Sequence, residues 1–90
     1  MKAAQLVRRR VADETGGFAE YVVWHLPSPL PSSTHPFKYR LAYLVGRQCV
    51  ARYDNESGKS DHRHFGGNKR TFSFSNPQQL MADFEADSAR

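Results

Sequence analysis

The sequence predicts an α+β fold: a curved, mostly antiparallel sheet of roughly five to six strands with one C-terminal helix packed on it. Three observations lead there. Turn signals recur at spacings of about 8–12 residues. The stretches between them alternate in polarity or are rich in β-branched and aromatic residues. One terminal stretch alone carries helix-capping chemistry. The 90 residues make one domain, with 1–75 as sheet body and 76–88 as helix.

The first element is ambiguous by pattern. Ala3, Leu6, Val7 and Val11 fit a helical stripe, but the Gly16-Gly17 turn and the β-rich stretch after it favour a hairpin, so a strand is expected over 2–11. Phe18 to Leu26 is apolar on both faces and reads as a central strand, with Trp24 in the core. Pro27, Pro29, Pro31 and Pro36 bracket a Ser-rich connection. Phe37 to Val45 alternates, with Phe37, Tyr39, Leu41, Tyr43 and Val45 on one face. Gln48 to Tyr53 is its hairpin partner across a Gly46-Arg47 turn. Asp61–Phe65 and Thr71–Phe74 are short strands around a glycine loop at 66–69. In the helix, Asn76 is the N-cap, Pro77 the first residue, and Gln79 completes a capping box. Pro77, Leu80, Met81 and Phe84 form the docking stripe, and Asp83, Glu85 and Asp87 face water.

The formal charge is +4, unevenly spread. Residues 1–75 carry twelve Lys/Arg against six Asp/Glu, whereas 76–90 carry one against three. A basic body suits an anionic partner such as nucleic acid, and would steer an acidic protein segment toward it. The lone cysteine, Cys49, excludes an intrachain disulfide and reads as a buried inert thiol. No apolar run approaches the roughly 18 residues of a membrane span. Met1 to Arg10 lacks the apolar centre of a secretory signal, so the cytoplasm is the expected location. Ser28, Ser32 and Ser33 lack the framing of a nucleophilic serine.

The chemically dense stretch runs from Arg52 to His64. A two-residue turn at Gly46-Arg47 sets Arg40 opposite Tyr53, Lys38 opposite Asn55 and Leu41 opposite Arg52, with opposed Cβ atoms about 5 Å apart. The open end of the hairpin then gathers Lys38, Arg40, Arg52, Tyr53 and Asn55, donors beside an aromatic that suit phosphates and bases. The alternative is a solvated strand end. His62 and His64 alternate with Asp61 and Arg63, so both imidazoles share a face. They read as a general acid and base about a phosphate, as metal ligands with Asp61 or Asp54, or as packing histidines. Cleavage of RNA needs a base for the 2′-hydroxyl, an acid for the leaving oxygen and cations for the phosphate. His62 and His64 supply the first two; Lys59, Arg63 or Arg40 supply the third, with Tyr53, Asp54 and Asn55 shaping the site. No cofactor and no metal is expected, since two clustered histidines and scattered carboxylates make a thin ligand set.

Nearly the whole chain resembles a known family. The run HPFKYRLAYLVGRQCVARYDNESGKSDHRHFGG, followed by FSNPQQLMADFEAD, is similar to the TumE family of small toxin components. That family pairs a KYRLAY strand with a YDNE–GK–DHRH segment and a helix ending in DF–D. The upstream EYVVWHLPSPLPSSTHPFKYR fits as well. His25 stands where the family often has arginine, and Ser60 where glycine is common. The resemblance implies a growth-inhibiting toxin paired with a helix-turn-helix antitoxin encoded beside it. Three functions compete: an RNA-cleaving toxin using the histidine pair, a non-catalytic module holding RNA or a protein on the same patch, and a motif that only ties loop to sheet.

Overall fold

The computed structural model describes residues 3–30, 33–55 and 61–88. Six strands follow in order: β1 (Ala4–Ala12), β2 (Gly17–His25), β3 (Phe37–Val45), β4 (Gln48–Asp54), β5 (His62–Phe65) and β6 (Asn68–Thr71). A single helix, α1 (Pro77–Ser88), closes the described chain. The strands lie side by side in chain order, each antiparallel to its neighbour. The α+β expectation holds, including a strand for the ambiguous first segment.

Local chemistry sets the turns. Asp13 Oδ1 accepts from Thr15 N (2.9 Å), Thr15 Oγ1 (2.7 Å) and Gly17 N (3.0 Å), so one carboxylate closes the β1–β2 loop. Gly66 and Gly67 take φ of +56° and +92°, the two positive values of a tight primed hairpin. The expected loop over 66–69 therefore shrinks to two residues. The last strand starts at Asn68 rather than Thr71; Phe72 keeps one bond in the same register, its N–H to the Asp61 carbonyl (3.3 Å), and the side chains of Phe72 and Phe74 pack against the core.

The β3–β4 hairpin keeps the expected two-residue turn at Gly46-Arg47, with Val45 paired to Gln48, and departs from that register further along. Leu44 pairs Cys49, but Tyr43 pairs Ala51, so Val50 is an extra residue. Beyond this bulge Leu41 faces Tyr53, Ala42 faces Arg52 and Arg40 faces Asp54. The expected pairs Arg40–Tyr53 and Leu41–Arg52 are displaced by one position, because a bulge sets two residues of one strand against one of the other. Each later β4 side chain thereby changes face. Cys49, on the turn side of the bulge, is exposed rather than buried.

One face of the sheet is the core. Tyr21, Val23, Tyr39, Leu41, Ala51 and Tyr53 alternate onto it and meet Leu80 and Phe84 of α1, which rests on β4 and β3. Trp24 lies out of phase with this set and is half-buried on the other face, not in the core. Asn76 Oδ1 accepts from Gln79 N at 2.8 Å, as an N-cap does. The reciprocal half of the capping box is not formed: Gln79 Nε2 turns along the helix to Asp83 Oδ1, 2.9 Å away.

All four tyrosines of the chain donate their hydroxyls to carboxylates. Tyr21 reaches Glu85 (2.8 Å) and Tyr39 reaches Asp61 (2.6 Å), while Tyr53 reaches Asp87 and Tyr43 reaches Asp13. Glu85 and Asp87 are expected to face water; Glu85 is exposed while also accepting from Tyr21, whereas Asp87 is buried. A buried phenol needs an acceptor, and these carboxylates are the ones within reach.

Two predictions follow from this packing. A Cβ at Gly17 would lie 2.5 Å from Tyr43 Oη and 3.1 Å from the Leu44 carbonyl. Gly17→Ala should cost about 1–3 kcal/mol, read by thermal melting, and an unchanged melting temperature would contradict the contact. Burial and then the bond to Glu85 push Tyr21 up to about 12; burial and then Asp87 push Tyr53 up to about 12. Burial and then Asp61 raise Tyr39 further, and the bond to Asp13 raises Tyr43. Raised folded values mean stability is complete below the ordinary value of 10 and is lost as pH rises above it. Phenolate absorbance should accordingly appear together with unfolding; phenolates that titrate near pH 10 in the folded chain would contradict it.

Candidate nucleic-acid interface

The sheet face turned away from α1 carries a cluster of ionisable side chains. Cross-strand pairing runs Ala42–Arg52–His64–Lys69 along one row, and Arg40–Asp54–His62–Thr71 along the next. Paired residues on adjacent strands share a face. Arg40, Arg52, Asp54, His62, His64 and Lys69 therefore lie together, with Trp24 and Lys38 paired further along the face.

The two histidines are not equivalent. His62 is 3% exposed, and its Nε2 lies 2.5 Å from Asp54 Oδ1. A carboxylate only accepts, so Nε2 carries the proton. The other carboxylate oxygen, Oδ2, lies 3.1 Å from Arg52 Nε, close enough for ion pairing but not aligned as a hydrogen bond. His64 sits beside His62 edge to face, with ring centroids 5.2 Å apart. It is half-buried, and its Nε2 has no hydrogen-bond partner among the described residues. Burial, then the positive Arg52, then His62 hold the His64 imidazole below the usual 6.5; Lys69 acts the same way and Asp54 opposes. His64 is thus a neutral imidazole near pH 7, half-buried, with its Nε2 shielded from solvent and with Arg52 and Lys69 beside it. A shallow cleft joins it to Arg52, Cys49, Val50 and the Gly66-Gly67 turn.

Other expected site residues fall elsewhere. Tyr53 is buried under α1, with its hydroxyl on Asp87 and Arg63 Nη1 3.3 Å away. Arg63 alternates with the histidines and so lies on the helix side, 3.4 Å from Asp87 Oδ2. Asn55 is fully buried and stands in for a strand: its Oδ1 accepts from Tyr39 N at 3.0 Å, and its Nδ2 donates to the Phe37 carbonyl at 2.7 Å. The expected cluster of Lys38, Arg40, Arg52, Tyr53 and Asn55 is therefore split between the two faces. Lys59 lies outside the described residues. Asp61 turns from the histidine pair to His35 Nε2 (2.9 Å) and to the Tyr39 hydroxyl.

Sequence reasoning missed Lys69 as a member of this face, because it was assigned to a loop. The adjacent glycines Gly66 and Gly67 were the available signal, since a two-residue turn sets Lys69 directly across from His64. Among the described residues no three His, Cys, Asp or Glu side chains are grouped so as to hold a metal ion. No helix among them is long and apolar enough to cross a membrane.

Among curated proteins and among solved structures nothing matches this chain. A family model described as Toxin TumE matches residues 2–90. The coverage is essentially the entire sequence, so the chain belongs to the Toxin TumE family and is the toxin component of a toxin–antitoxin system, with an antitoxin as its partner.

Proposed function

We propose that this toxin acts on RNA and cleaves it on the open face of the sheet. The observation that carries the reading is His64: a half-buried imidazole held neutral, with a buried Nε2 that has no hydrogen-bond partner among the described residues, beside Arg52 and opposite Lys69. A neutral imidazole with a lowered pKa is a competent base at neutral pH. Cations around it suit a phosphate whose charge grows in the transition state. In this scheme His64 takes the proton of the 2′-hydroxyl, O2′ bonds to phosphorus, and the bond to the 5′-oxygen breaks. His62 returns a proton to that oxygen, with Asp54 bound at its Nε2 to hold the ring. The two ring centroids lie 5.2 Å apart. Arg40, Arg52, Lys38 and Lys69 contact the RNA backbone.

A second reading draws on the burial of His62. A 3% exposed imidazole bound to a carboxylate also suits a purely supporting role in a non-catalytic RNA-binding face. The two readings differ in what each substitution does.

His64→Ala should fold normally and lose about 10²–10⁴-fold in cleavage rate. His62→Ala should also melt lower, because Asp54 loses its donor in a buried setting, at a cost of about 1–3 kcal/mol. His62→Gln keeps an N–H for Asp54 but cannot act as an acid. Cleavage lost with stability kept assigns His62 to the chemistry, and cleavage kept assigns it to support. Since the base must be unprotonated, the rising limb of the pH–rate profile should lie below 6.5, the usual histidine value. Full toxicity of folded His64→Ala, with intact cellular RNA, would end the catalytic proposal.

A further inference from the structure

The outer edge of β1 is a free strand edge of unusual length and composition. β1 spans nine residues and has no neighbour on its far side among the described residues. The hydrogen bond from Asp13 N to the Gly17 carbonyl (2.9 Å) sets the phase of the β1–β2 ladder. With the register Val11–Ala19, Arg9–Tyr21 and Val7–Val23, the odd-numbered residues exchange bonds with β2. Arg8, Arg10 and Ala12 then turn N–H and C=O outward, because antiparallel strands alternate in this way. Native sheets blunt such edges, or keep them for pairing.

The surface beside that edge is also uncovered. α1 rests on β4 and β3, and no element among the described residues covers the helix-side surface of β1, where Val7 packs against the core and Arg9 lies over the Tyr21 ring. Val11 is 40% exposed, and Leu6, the residue bulged out between Gln5 and Val7, is 51% exposed. A cleft lined by Val11, Ala19, Tyr21, Tyr43 and Phe84, with Asp13, Glu85 and Ser88 also in its lining, opens between this surface and the helix. On the opposite side of the same strand stand the side chains of Arg8 and Arg10, the latter stacked 4.1 Å over the Phe18 ring.

We propose that the β1 edge receives an extended acidic segment of the antitoxin, added as a seventh strand. Its carboxylates would alternate onto the side of Arg8 and Arg10. Its apolar side chains would alternate onto the side of Val11 and the cleft. Charge selects this occupant over a second copy of the chain. A two-fold pairing that overlaps all of β1 sets Arg8 against Arg8, with each Arg10 diagonal to it, and like charges opposed across strands are unfavourable. An acidic strand meets no such conflict and gains the outward N–H and C=O groups. The proposal rests on family membership and strand geometry, and is independent of the RNA-cleavage reading.

The test compares amide hydrogen exchange in the full-length toxin alone and in the complex purified after co-expression with its antitoxin. The amides of Arg8, Arg10 and Ala12, which β2 leaves unbonded, should slow by about tenfold or more in the complex. Arg8→Glu/Arg10→Glu should fold, judged by circular dichroism, and remain toxic while escaping neutralisation. Unchanged exchange at those three amides, or protection confined to β6 or to the histidine face, would overturn the proposal. So would a free toxin that sediments as a dimer with these amides already protected, since the occupant would then be a second copy.

Discussion

One extra residue in β4 decides which side chains meet. Val50 is bulged between Cys49 and Ala51, and its carbonyl accepts from Gly66 N at 3.2 Å. Without it, Tyr53 would point to the open face, and Arg52 and Asp54 would be driven under α1. With it, Tyr53 joins Tyr39 and Leu41 in the core, and Asp54 meets His62. A strand has period two, so a one-residue offset exchanges a whole set of side chains between water and core. The register of β5 is keyed to β4 through Arg52–His64 and Asp54–His62. The histidine face thus exists only in the bulged register.

The two faces do different work with the same residue types. On the helix side, carboxylates end on phenols: Glu85 on Tyr21, Asp87 on Tyr53, Asp61 on Tyr39 and Asp13 on Tyr43. These bonds fasten the helix, the first loop and the start of β5 to the three central strands. They also occupy four of the nine acidic side chains of the chain. On the open side Asp54 is committed to His62 and Arg52, and the cations around His64 are left facing outward. Arg8, Arg10, Lys38, Arg40, Arg52 and Lys69 thereby share one sheet face, while Arg9, Arg63 and Arg70 lie on the other.

Much of the fold was legible because it is written locally. Alternation marked β3, paired glycines marked turns, and Asn76-Pro77 marked the start of the helix. The sharing of one face by His62 and His64 also follows from period two alone. What could not be read was the register of one strand against another beyond a turn, because no local residue announces the bulge at Val50. That single offset explains the misplacement of Tyr53 and the loss of the expected Arg40–Tyr53 pair. The roles of Asn55 and Asp87 were hidden for a different reason. Each is polar, so composition assigns it to water, yet each answers a partner far off in sequence: Asn55 the backbone of Phe37 and Tyr39, Asp87 the hydroxyl of Tyr53. The inequality of the two histidines has the same origin, since only the fold brings Asp54 onto His62.

The central claim is that RNA is held on the face opposite the helix. Nuclear magnetic resonance of the labelled toxin, titrated with a short 2′-O-methyl oligonucleotide that cannot be cleaved through its 2′-oxygen, tests it most directly. The shifted signals should belong to Arg40, Arg52, His64 and Lys69, and the imidazole protons of His64 should move with them. Shifts that fall instead on Arg63, Arg70 and α1, or no shifts at concentrations where the toxin remains folded, would contradict the account.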